Sequence, residues 1–140
     1  MNEGIVFAVI AAIAEGVWVT MHKQASSYID NLFGAILVSL TAVILGLLLL
    51  APRLGTAIKA TSSRGLIYVV LAGVAALAID YLVLKAYTSG ASVTVVGPIV
   101  IGGGVAASAI IGVMFGDALT VSGVSGVVLI AVGASILSRA

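Results

Sequence analysis

The sequence predicts an all-α membrane protein with five transmembrane helices, and three observations lead there. Of its 140 residues 62% are hydrophobic and 8% charged, where soluble domains run near 45–50% and 25%. Eleven charges cannot dress the surface of a water-soluble domain of this size. Mean hydropathy is +1.35, and with only three Phe, one Trp and four Tyr the apolar excess is aliphatic, as in helices dissolved in lipid. Finally, five apolar runs are long enough to cross roughly 30 Å of hydrocarbon at about 1.5 Å per residue. Every charge except Glu15 and Asp80 falls at or between their ends.

The first run, 4–22, follows Met1-Asn2-Glu3-Gly4, which lacks the positive n-region of a secretory signal, so it is expected to remain in the mature chain. The second, 32–51, contains Val43-Ile44-Leu45-Gly46-Leu47-Leu48-Leu49-Leu50, which does not alternate and so argues against a β-barrel. A loop is expected over Pro52–Arg64. The third run, 65–84, carries Asp80 and Tyr81 and ends at Lys85. After a tight turn at Tyr87–Gly90, the fourth run, 91–114, holds Gly97-Pro98 and Gly102-Gly103-Gly104. Pro98 removes an internal hydrogen bond and can kink the helix, and the three glycines admit a close or moving neighbour. Gly104, Ser108, Gly112 and Gly116 continue as a small-residue stripe. Asp117, in the next turn, is expected to cap the fifth run, 119–138. There Gly126 and Gly133 stand seven apart on one face, a candidate dimer interface. Residues 1–140 read as a single transmembrane domain.

Composition also excludes function classes. With no Cys, disulfides, thiolate zinc sites and cysteine catalysis are excluded. One His leaves a metal site without ligands, and no nucleophile–base pair can be assembled, so neither enzyme activity nor a cofactor is expected. A net charge of +1 without a basic block sets nucleic acid aside. Five spans would place Arg53, Lys59 and Arg64 on one side of the membrane and Lys23, Lys85 and Arg139 on the other. That tie leaves the positive-inside rule almost nothing to choose between. Either the tie is accidental, or the chain inserts both ways and pairs as an antiparallel homodimer, recreating an inverted repeat.

Chemistry concentrates on the first helix. Glu15 sits near its middle, where an ionised carboxylate is costly, so it is expected to exchange a proton near physiological pH. Ala8, Ala11, Ala12, Trp18, Val19 and His22 share its face, and Ile10, Ile13, Val17 and Met21 form the opposite, lipid-facing side. A carboxylate that alternates between a proton and a cationic substrate is the simplest form of coupled antiport. The Trp18 ring, one turn away, can hold an organic cation beside it. Asp80, five residues before Lys85, is expected in a shallower layer, either paired with Lys23 or lining the substrate path together with Tyr81. His22 is expected at the interface.

Two stretches resemble known families. Ala14-Glu15-Gly16-Val17-Trp18-Val19-Thr20-Met21-His22-Lys23 looks like the first helix of the small multidrug resistance proteins, with a Lys eight residues after a membrane-embedded Glu. Gly126-Val127-Val128-Leu129-Ile130-Ala131-Val132-Gly133 is similar to that family's dimerisation helix, although those proteins are shorter and have four helices. From Leu82 to Leu137 the chain looks more like the second part of an EamA domain: Leu84-Lys85-Ala86-Tyr87, Gly97-Pro98, then Gly116-Asp117-Ala118-Leu119-Thr120 and a Gly-rich closing helix. Asp117 stands there in place of the usual Glu. Five helices equal one EamA repeat of the drug/metabolite transporter (DMT) superfamily. The resemblance implies a plasma-membrane, multi-pass carrier of small metabolites or drug-like cations, working by alternating access as a homodimer. Proton-coupled export through Glu15 and Trp18 is the leading expectation. A flippase for a lipid-linked substrate and a dual-topology passive channel are the alternatives, with a non-transporting partner of an unlike five-helix chain as a further one.

Overall fold

The computed structural model describes residues 3–137 and 139, and among these every regular element is helical. The elements are α1 (Glu3–Ala25), α2 (Asn31–Leu50), α3 (Leu54–Ala60), α4 (Ser63–Thr88), α5 (Val93–Met114) and α6 (Val121–Leu137), with a 3-10 turn at Ala51–Arg53 before α3. Four stretches, Glu3–Ala25, Asn31–Ala60, Ser63–Thr88 and Val93–Met114, are long and apolar enough to cross a membrane. The fifth expected run yields the shorter α6, of 17 residues. Ser138, its expected end, lies outside the described residues, as do Met1 and Asn2.

Local chemistry fixes the boundaries. Asp30 caps α2 by accepting from the Leu32 and Phe33 amides at 3.0 and 2.9 Å, and the Ser62 hydroxyl caps α4 by accepting from the Gly65 amide at 3.1 Å. Helices α4 and α5 both end on a left-handed glycine, Gly90 (φ 95°) and Gly116 (φ 98°). In each, the glycine amide reaches back three residues and the next amide five, to Tyr87 and Ala86 and to Val113 and Gly112 respectively.

Two expectations are corrected here. The Pro52–Arg64 segment is not a plain loop: Pro52 sits in the first turn of the 3-10 helix, where its missing N–H costs nothing, and α3 follows. Asp117 does not cap α6. Its amide closes the end of α5 on the Gly112 carbonyl, and Thr120 accepts from the Gly123 amide at 3.1 Å instead. Helix α5 continues through Pro98, which has no N–H to donate to the helix ladder.

Helix α1 packs on α4 and α5, α2 on α4, and α6 on α5. The buried side chains gather at one end: Val19 and His22 of α1, Ala35 of α2, Asp80, Val83, Leu84 and Tyr87 of α4, and Val96 of α5. Residues 3–17 of α1 and 66–79 of α4 are exposed throughout. The long helices therefore close at the α1 C-terminal end and part toward the other. The accessible area of 10077 Å² exceeds the roughly 6,700 Å² expected of a water-soluble monomer of this mass, as befits helices whose outer faces meet lipid.

Gly34 makes the closure of α2 on α4 possible. A Cβ there would stand 2.8 Å from the Leu84 Cδ1 and 3.2 Å from the Ile29 Cγ2, and Leu84 is 1% exposed. Gly34→Leu is expected to cost about 1–3 kcal/mol through overpacking, whereas Gly46→Leu, where a Cβ meets nothing within 4 Å, should change little. Denaturation of the two variants in detergent checks this, and equal stability would contradict it.

Candidate functional site

Trp18 and His22 are four residues apart, hence stacked on one face of α1, and their rings lie 4.2 Å apart at 47°. Both face Asp80 of α4. The Trp18 indole Nε1 donates to Asp80 Oδ1 at 2.9 Å, and His22 Nε2 lies 3.1 Å from the same oxygen. That second approach is bent away from hydrogen-bond alignment, and Nε2 has no hydrogen-bond partner. His22 Nδ1 lies 2.9 Å from the Trp18 carbonyl. His22 is 4% and Asp80 5% exposed.

Helix α4 continues to Thr88, which sets Asp80 eight residues, about 12 Å, from its end. Lys23 does not pair with it. Its Nζ donates to the Ala91 carbonyl at 3.1 Å and lies 5.5 Å from the Tyr87 ring centroid, because one residue beyond His22 the helix has turned by about 100°. His22, in the last turn of α1, is buried against another helix, a contact that its i, i+4 spacing from Trp18 alone does not reveal.

Glu15 is exposed and lies one residue from the midpoint of α1. It lines an open cavity of about 470 Å³ between α1, α4 and α5, together with Trp18, Asp80, Gly104 and Ser108. The rest of that lining is aliphatic, and no Lys, Arg or His contributes. Among the described residues no ion pair reaches the Glu15 carboxylate. A second open cavity, of about 370 Å³, lies on the other side of Trp18 between α1, α2 and α4, and His22 lines it.

The remaining expected residues are distributed around this core. Tyr81 is half-buried, is not part of the Glu15 cavity lining, and lies under the Lys85 ammonium at 5.8 Å. Gly102 packs α5 on α6, since a Cβ there would meet the Ile130 Cγ2 at 3.0 Å and the Ala134 Cβ at 3.3 Å. Gly103 faces a cavity between α5 and α6; Pro98 lines another, with Gly133. At Gly126 and Gly133 a Cβ would meet nothing within 4 Å, so that face of α6 has room for a neighbour. Among the described residues no three His, Asp or Glu side chains come together as a metal site would need.

Removing the Asp80 carboxyl would leave the Trp18 indole N–H without its acceptor. Asp80→Ala is expected to cost about 1–3 kcal/mol, and Asp80→Asn less, because the amide oxygen still accepts from Trp18. The fluorescence of Trp18, the only tryptophan, reports unfolding of both variants; an Asn variant as unstable as the Ala one would refute the assignment. Comparison with known families, with curated proteins and with solved structures finds no match to the chain.

Proposed function

We propose that the chain is a secondary active transporter of small cationic metabolites or drug-like cations, coupled to protons and exporting by alternating access. The observation that carries this reading is the shared cavity of Glu15, Trp18 and Asp80. Two acids and an indole line one open space at mid-helix depth, in a bundle otherwise almost free of charge. An intramembrane acid facing a cavity is costly unless it serves a pathway. Glu15 is the group that trades a proton for the substrate cation, and the Trp18 ring lies beside it as an apolar, π-bearing wall.

The same reading takes α6 as a fifth span. Its 17 residues meet the lower limit for crossing hydrocarbon, which makes the chain multi-pass with its ends on opposite sides of a plasma membrane. A single bundle closed at one end needs an inverted copy to close the other. The balanced basic residues and the unfilled face at Gly126 and Gly133 support an antiparallel homodimer, the arrangement expected of a lone EamA-like DMT repeat. A flippase is the second reading, favoured by the open apolar cavity beside His22, which has room for part of a lipid chain.

In proteoliposomes the wild-type chain is expected to move an aromatic quaternary ammonium ion against an imposed proton gradient, and Glu15→Gln to abolish that coupled flux. Undiminished proton-linked transport by the variant would overturn the mechanism. Translocation of a fluorescent lipid-linked sugar with no cation flux would favour the flippase instead.

A further inference from the structure

Helix α2 runs 20 residues, about 30 Å at about 1.5 Å per residue, which is the thickness of the hydrocarbon core of a bilayer. No charged residue lies between Asp30, its cap, and Arg53. Arg53 therefore marks the far edge of the apolar layer, and the chain that follows starts at the depth of the lipid headgroups. There the helical path breaks. Arg53, at φ −128° and ψ 16°, separates the 3-10 turn from α3, and Ser62 then opens the return through α4.

Helix α3 has little support of its own, its main packing being with the 3-10 turn before it. Leu54 and Ile58, four apart and so on one face, are 40% and 65% exposed. Lys59 is about 100° round the helix from Ile58. An uncovered apolar face thus adjoins a cation, the pattern of a helix that lies in a membrane interface.

The stretch from Arg53 to Arg64 holds three cations and no acid. All three are exposed, and no ion pair, hydrogen bond or ring contact engages their charged groups among the described residues. The acids at this end of the bundle, Glu3 on α1 and Asp117 between α5 and α6, form no ion pair with them. At the opposite end two cations are already engaged: Lys23 with the Ala91 carbonyl and Lys85 with the Tyr81 ring. At the depth of Arg53, Lys59 and Arg64 the phosphodiesters of the lipid headgroups supply the missing counter-charge, and an Arg guanidinium can meet two phosphate oxygens at once.

We infer that the segment Arg53–Arg64 is a docking surface for acidic phospholipid, with Leu54 and Ile58 among the upper acyl chains and Arg53, Lys59 and Arg64 on the headgroup phosphates. A zwitterionic lipid carries the same phosphate beside its own ammonium group, so net negative charge is what the surface selects. Each cation near an anionic bilayer surface contributes about a fivefold gain in association. The inference is independent of the transport reading.

The chain has no cysteine, so Thr61→Cys, between Lys59 and Arg64, carries a single bimane label in the full chain reconstituted in phosphatidylcholine vesicles. Quenching is compared for two lipids with the same nitroxide high on one acyl chain, one a phosphatidylglycerol and one a phosphatidylcholine. At equal lipid fraction and low salt, the phosphatidylglycerol is expected to associate about fivefold or more strongly. Adding Arg53→Gln, Lys59→Gln and Arg64→Gln together should bring that ratio close to unity. Should the triple variant fail to insert, salt decides on the chain with its three cations intact: about 1 M, where the Debye length is about 3 Å, should remove most of the preference. Equal quenching by the two lipids at low salt would overturn the inference, as would a preference that survives the triple substitution or the salt. Quenching by a second copy carrying nitroxide at Thr61→Cys, in place of the lipid signal, would overturn it too and assign the surface to a contact between chains.

Discussion

One carboxyl group ties the bundle together. In lipid, helices gain little from hiding apolar surface from one another, because the solvent is as apolar as they are. Register must come from close packing at small residues and from the few polar contacts available. Here Asp80 Oδ1 takes the Trp18 indole proton and lies against the His22 ring, pinning the second half of α1 to the second half of α4. Such contacts average only about 0.6 kcal/mol in membrane proteins, and the Lys23 ammonium on the Ala91 carbonyl adds a second polar tie from α1. With Trp18 fixed, Glu15 one turn earlier necessarily faces the same gap between α4 and α5.

Helical periodicity is a local property, and in the last two turns of α1 it separates exposed Met21 from buried Val19 and His22, while residues 3–17 are exposed on both faces. The four long apolar helices were legible for the same reason. What local pattern could not supply was pairing across the bundle. The sequence offers Lys23 as a partner for Asp80, whereas the structure sets Trp18 and His22 against it and turns Lys23 to the Ala91 carbonyl. Helix α3 was missed because Pro52 signals a break equally well at a loop and at a helix start.

The bundle is asymmetric, and that asymmetry links packing to the functional reading. Buried residues cluster where α1, α4 and α5 converge, around Val19, Val83, Tyr87 and Val96. Toward the other end the same helices separate, and Glu15 stands where closure gives way to opening. Small residues serve both regimes. Gly34 and Gly97 allow backbones to approach in the closed half, where a Cβ would meet the Leu84 Cδ1 at 2.8 Å and the Val19 Cγ1 at 3.2 Å. Gly104 and Ser108 keep α5 slim along the open cavity. The stripe of small residues on α5 thus leaves space rather than filling it.

The account stands on Glu15 as a group that cannot hold a proton and a cation together. Proton release on cation binding measures that exclusion directly: benzyltrimethylammonium is added to the protein in weakly buffered micelles while pH is followed. The account predicts proton release that rises with bound cation toward a limit of one proton per cation. Saturable cation binding with no proton released at any pH between about 5 and 9 would contradict it.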